Sequence, residues 1–151
     1  MTVTSGGRAK GIANYFNNKF DHVQNIATDG YSMSKISSKD LDVIGIYKSR
    51  FGDLQDIVIQ LEDMIDDKKI TVIGGDFNIY VLKHPNNLMT KKLKESHFEQ
   101  IVKQATHIDG GLIDHVYIKK RKDEDISWVV EMLPKYYSDH DCICVTLGPD
   151  N

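Results

Sequence analysis

Thr71-Val72-Ile73-Gly74-Gly75-Asp76-Phe77-Asn78 is the stretch that decides how this chain folds. A β-type apolar run stops at a glycine pair, then offers an acid and an amide two positions apart. Alternation along an extended strand puts Asp76 and Asn78 on one side of the backbone and Phe77 on the other. At the C-terminal edge of a strand, that pair suits a hydrated cation and a phosphate. The carboxylate can hold or deprotonate a water, and the amide can donate to a phosphoryl oxygen.

Upstream of this stretch, Leu41 to Tyr47 is a nearly continuous apolar run and reads as a buried strand. Between the two runs, Gly52-Asp53 opens a helix. Asp53 is its cap, and Leu54, Ile57, Val58, Leu61 and Ile65 recur with helical spacing until Asp66-Asp67-Lys68-Lys69 ends it. A helix between apolar strands Leu41–Tyr47 and Ile70–Ile73 is a βαβ-like unit, so the expected class is α/β with layered sheets. Further upstream, strands are expected around Ala9–Tyr15, Val23–Ala27 and Tyr31–Ile36. Asn17-Asn18 and Asp29-Gly30 supply turns, and Met1 to Gly7 is expected to fray. Downstream, Leu88, Leu93 and Phe98 suggest a helix from about Asn87 to Phe98. Strands follow at Leu112–Ile118, Ile126–Leu133 and Cys142–Leu147. No linker divides the 151 residues, so one domain spanning 1–151 is expected.

Composition narrows the function classes. Hydrophobic content is 40% and charged content 27%, which suits a packed domain rather than disorder. A net charge of -3 argues against a general nucleic-acid binder, so any such contact needs a local patch. The candidate patch is Lys119-Lys120-Arg121-Lys122; its plainer reading is a solvated loop between strands. Cys142 and Cys144 share one face of a strand. That spacing suits two small core side chains better than a disulfide, and implies a reducing, intracellular compartment. No apolar run reaches membrane-spanning length.

Three acid-bearing strand ends occur in series: Gly75-Asp76-Phe77-Asn78, Ile113-Asp114-His115 and Ser138-Asp139-His140. One Asp at a turn is ordinary turn chemistry. Three, one with Asn two residues on and one with His adjacent, point to a shared pocket at one sheet edge. Alternation turns His115 and Asp141 away from it. His22, His84, His97 and His107 show no ligand spacing and read as surface or packing residues. Trp128 reads as strand packing rather than a platform for bases.

The order Tyr47, Asp76, Asn78, Asp114, Asp139, His140 resembles the endonuclease/exonuclease/phosphatase superfamily, the DNase I-like fold of exonuclease III-type AP endonucleases. Ala105-Thr106-His107-Ile108-Asp109-Gly110-Gly111-Leu112-Ile113-Asp114-His115-Val116-Tyr117 and Tyr136-Tyr137-Ser138-Asp139-His140-Asp141 resemble strings in mobile-element endonuclease domains, of non-LTR retrotransposons and Helitron-like elements. The likeness runs from about residue 6 to 148 and matches the later part of the family domain. The family's early strands, one ending in asparagine and one in a metal-holding glutamate, have no counterpart; no Glu precedes Glu62.

The resemblance implies the C-terminal part of a four-layer α/β sandwich, with mixed sheets and flanking helices. It implies a metal-dependent phosphodiesterase, a DNA endonuclease of a mobile element, with Mg²⁺ or Mn²⁺ as cofactor. Asp76 then activates water and shares the metal with Asp139. Asn78 and Tyr47 donate to the phosphate, His140 stabilises it as imidazolium, and Asp114 orients His140. DNA is the implied substrate partner, in the nucleus. A protein partner or second copy would cover apolar surface left by the absent strands, and activity of this chain alone is expected to be feeble. Two other readings stay open: a non-catalytic remnant that binds nucleic acid or a partner, and a phosphatase of small phosphorylated substrates.

Overall fold

A computed structural model describes residues 2–5, 11–122, 124–134 and 136–149, to which the statements below are confined. In chain order the elements are β1 (Thr2–Ser5), β2 (Gly11–Asn14), β3 (Asp21–Ala27), β4 (Tyr31–Ser37), β5 (Leu41–Lys48), α1 (Leu54–Met64), β6 (Ile70–Asp76), α2 (Leu88–Glu95), β7 (Glu99–Gln100), β8 (Asp114–Lys119), β9 (Ile126–Leu133) and β10 (Cys142–Pro149).

Six strands form one mixed sheet in the order β3-β4-β5-β6-β8-β7. Only β5 and β6 run parallel, because α1 carries the chain back between them; the other neighbours are antiparallel. The Asp53 side chain accepts from the Gln55 N–H and caps α1, which buries Ile57, Val58, Leu61 and Met64. These pack with α2 onto the face that carries Met33, Ile44, Ile46, Ile73, Phe77 and Tyr117. Each such side chain taken from water contributes about 1.5–3 kcal/mol.

Helix α2 is shorter than the expected span to Phe98. His97 adopts φ 65°, the Phe98 N–H donates to Leu93 O at 2.9 Å and the His97 N–H donates to Lys94 O at 3.0 Å. That left-handed C-terminal motif stops the helix and sends Phe98 back into the core.

The opposite sheet face is covered by two hairpins. Antiparallel β9 and β10 turn Trp128, Val130, Met132, Ile143, Val145 and Leu147 onto Val116, Ile118 and their neighbours. Alternation therefore turns Cys142 and Cys144 outward as exposed free thiols, which corrects the core role expected of them. The second hairpin, β1–β2, lies over β4 and β5: Asn14 donates to Ser34 Oγ at 2.5 Å, and Ile12 packs over Gly45. Strand β1 corrects the expected fraying of Met1–Gly7; residues 1 and 6–10 lie outside the described set. Between β2 and β10 runs a cleft of about 390 Å³ floored by Val43, Gly45, Val72, Gly74 and Val116. No helix among the described residues is long and apolar enough to cross a membrane.

Candidate active site

Strand β6 continues past the expected stop at Ile73 to Asp76, because Gly74 and Gly75 stay paired with Val116 and His115 of β8. Gly75 has φ +144°, and a Cβ there would lie 1.8 Å from Ile46 O, so only glycine lets β6 close on β5 at this edge. Asp76 is then the register partner of Tyr47 on one side and of Asp114 on the other. Because β8 runs antiparallel to β6, the first residue of one strand meets the last residue of the other.

The third component arrives through a pinned loop. Thr106, buried, accepts on Oγ1 from the N–H groups of Ile113 (3.2 Å) and Asp114 (3.1 Å). Its carbonyl accepts from the Asp141 N–H at 2.8 Å, and the Ile108 N–H donates to Asp139 O at 2.8 Å. These bonds hold the segment before β10 against the start of β8. The His140 N–H donates to Ser138 Oγ at 3.1 Å, which sets the turn that presents the imidazole.

Asp76, Asp114 and His140 thus offer ligand atoms all within 4.8 Å of one another. His140 Nδ1 stands 2.8 Å from Asp114 Oδ2, with side chains 30% and 15% exposed. Burial pushes the Asp76 carboxyl above its usual range, and the Asp114 charge adds to that; the Asn78 N–H and the two nearby imidazoles pull the other way. Burial alone would push His140 down, but the hydrogen bond and charge of Asp114, with Asp76 and Asp139, raise it above its ordinary value. Among the described residues no lysine or arginine forms an ion pair with Asp76 or Asp114. Lys48 is buried, held below its ordinary pKa by desolvation, and donates to Ser49 O at 2.9 Å.

The other proposed site residues differ in placement. Asn78 lies beyond the strand, at φ 49°, so a turn and not strand alternation sets it beside Asp76. Its N–H donates to Asp76 Oδ1 at 2.9 Å, and its amide NH₂ donates to Lys48 O at 2.7 Å. Tyr47 is half-buried in the Asp76 row, with no side-chain hydrogen bond to another described residue. Asp139 is 66% exposed and stands at the mouth, its Oδ1 4.0 Å from His140 Nε2. His115 belongs to the core: it is fully buried, stacks on Phe77 at 4.7 Å, and burial lowers its pKa.

His107 was not legible as a site residue. Its ring packs edge-on against His140 at 4.8 Å, and its Nε2 lies 3.4 Å from Asp139 Oδ2. The available signal was Asp109 two residues on: it closes the Gly110-Gly111 turn through Gly111 N–H (2.9 Å) and takes His107 Nδ1 at 2.8 Å. The basic run is no open patch. Lys119 pairs with Asp67 at 2.5 Å, Arg121 pairs with Glu124 and Asp40, and Lys120 sits over the Trp128 ring. It also begins at the far end of β8 from Asp114.

No family model matches this chain, and no curated protein matches it. Solved structures do. The endonuclease domain of TRAS1, a telomere-specific non-LTR retrotransposon, aligns with a TM-score of 0.59 and 15% identity over 89% of this chain and 69% of its own. CdtB, the biologically active subunit of cytolethal distending toxin, aligns with a TM-score of 0.60 and 15% identity over 87% of this chain and 58% of its own. An endonuclease/exonuclease/phosphatase family protein from Bacteroides thetaiotaomicron aligns with a TM-score of 0.50 and 13% identity over 97% of this chain and 72% of its own. The architecture is therefore the DNase I-like α/β fold, and this chain spans between 58% and 72% of those three.

Proposed function

We propose that the chain is a divalent-metal-dependent phosphodiesterase acting on DNA, of the kind that nicks a target for a mobile element. The observation that carries this reading is the meeting of Asp76, Asp114 and His140, with ligand atoms within 4.8 Å of one another, at one sheet edge. In this reading Asp76 orients a water and takes its proton; a carboxyl raised by burial is a better base than an exposed one. Asp114 holds the Nδ1–H of His140, so the imidazolium presents Nε2–H to a non-bridging phosphate oxygen. Tyr47 and Asn78 flank Asp76 as further donors. Asp76 and Asp139 would hold the cation, and an all-oxygen, thiolate-free pair suits Mg²⁺ or Mn²⁺. When bound, the ion supplies charge stabilisation at the phosphate and the leaving oxygen.

Exposed Phe51 follows the end of β5 and exposed Tyr136 lies between β9 and β10, which favours a substrate with stacking bases over a small phosphomonoester. The mobile-element role rests on the two sequence strings and on the TRAS1 likeness. Among the described residues β2 pairs only with β1 and β10 only with β9, so the cleft between them has two open strand edges. A partner chain or second copy adding strands there would complete that layer.

The test is plasmid nicking in Mg²⁺ or Mn²⁺, with chelator and Asp76→Ala controls. Weak, metal-dependent nicking that vanishes in Asp76→Ala is expected. Nicking that survives Asp76→Ala refutes the assignment, duplex binding without cleavage supports the remnant reading, and phosphomonoester hydrolysis without nicking supports the phosphatase.

A further inference from the structure

We infer that His107, Asp139 and His140 form a binding site for a first-row transition cation such as Zn²⁺, which shares Asp139 and His140 with the oxygen-rich pocket beside it. The three offer ligand atoms within 4.8 Å of one another. Each histidine has its Nδ1 against a carboxylate: His107 on Asp109 at 2.8 Å, His140 on Asp114 at 2.8 Å. A 2.8 Å contact between ring nitrogen and carboxylate places the proton on Nδ1. The Asp109 N–H also lies 3.3 Å from His107 Nδ1, but that longer contact is secondary to the charged acceptor. With that proton on Nδ1, the neutral form of each ring carries its lone pair on Nε2, where a cation takes the place of the second proton.

That cation has its anionic ligand in place. Asp139 presents Oδ2 to His107 Nε2 at 3.4 Å and Oδ1 to His140 Nε2 at 4.0 Å. Ligand atoms around a tetrahedral zinc stand about 3.3 Å apart, given bonds of about 2.0–2.1 Å. Of the three ligand pairs, His107 Nε2 and Asp139 Oδ2 are at that spacing. The other two, His140 Nε2 with Asp139 and imidazole with imidazole, lie within 4.8 Å and close by movement of the exposed Asp139 carboxylate and the rings. Two imidazoles with one carboxylate, each imidazole backed by a carboxylate on its far nitrogen, is the donor pattern of zinc and its neighbours rather than of Mg²⁺. The backbone fixes the pair: His107 and His140 form a β-bridge, closed by Ile108 N–H to Asp139 O and Asp141 N–H to Thr106 O.

The site has a consequence that rests on the phosphodiesterase reading. An ion on His140 Nε2 occupies the atom offered to the phosphate, so Zn²⁺ inhibits by competition at that nitrogen.

Calorimetric titration with Zn²⁺ tests the site directly, in a Cys142→Ser/Cys144→Ser background that removes the exposed thiols. One ion per chain is expected, with affinity at least tenfold weaker in His107→Ala. The histidine side-chain nitrogen spectrum of the otherwise unaltered chain gives a second readout, independent of how His107→Ala folds: the Nε2 signals of His107 and His140 move together on adding Zn²⁺. Unchanged affinity in His107→Ala, or unmoved Nε2 signals, overturns the site. A chain that binds Zn²⁺ this way yet cuts nothing keeps the site and sinks the phosphodiesterase. A chain that nicks with Mg²⁺ and ignores Zn²⁺ does the reverse.

Discussion

Two carboxylates, one buried and one half-buried, sit at opposite ends of the same two parallel strands, and the fold treats them in opposite ways. Asp42, near the start of β5, is wholly inaccessible, yet Lys35 Nζ stands 2.7 Å and Lys69 Nζ 3.3 Å from it, and the Ser37 hydroxyl donates to it. Burial there is outweighed by the Lys35 and Ser37 hydrogen bonds and the lysine charges, and the carboxyl is held below its usual range. Asp76, at the end of β6, faces a second carboxylate in register and, among the described residues, no ion-paired lysine or arginine, and its carboxyl is pushed up. The first is neutralised from within. The second, in the proposed reading, takes a cation.

Breaking each end separates the two roles. Asp76→Ala is expected to lower nicking by about 10²–10⁴-fold, the range of a lost general base, with the unfolding midpoint in urea nearly unchanged. Asp42→Ala strands Lys35 in the core and is expected to cost about 3–5 kcal/mol of stability by the same urea measurement, with no direct part in the chemistry. Asp114→Asn sharpens the contrast through pH. The folded value of His140 lies above 6.5, so its pair with Asp114 stabilises fully below that pH and is lost as pH rises through the folded value. In Asp114→Asn, His140 should titrate at lower pH by NMR, and the alkaline limb of nicking should move down with it. Asp76→Asn loses nicking as Asp76→Ala does, and adds the smallest effect, one on stability. A carboxyl with a raised folded value destabilises when ionised, and stability returns as pH falls through that value. Removing its charge should raise the melting temperature at neutral pH by roughly a few degrees while nicking is lost.

The same contrast explains what the sequence made legible. Strands β5 and β6, helix α1 and the acids at strand ends follow from local pattern: apolar runs, a capping aspartate, and polar residues where runs stop. Local pattern does not say which face of a hairpin is buried. Cys142 and Cys144 share a face by alternation, but docking of Ile143 and Val145 onto the large sheet decides that the thiols look outward. Strand β7, two residues long, is below what periodicity detects, and α2 ends where His97 takes a left-handed turn. His107 was opaque because its partners Asp139 and His140 lie more than thirty positions away and meet it only through the loop pinned by Thr106. Asn78 was placed beside Asp76 for an incomplete reason, since the strand ends before it.

Phe77 sits between Asp76 and Asn78, yet its ring is fully buried against His115 and its N–H donates to Ile113 O at 2.9 Å. The reacting edge is therefore bolted to the interior and is not carried by a detachable flap. The Phe77 amide hydrogen should exchange in the slowest class, through whole-domain opening alone. Loss of activity on heating and loss of tertiary signal should then trace a single curve.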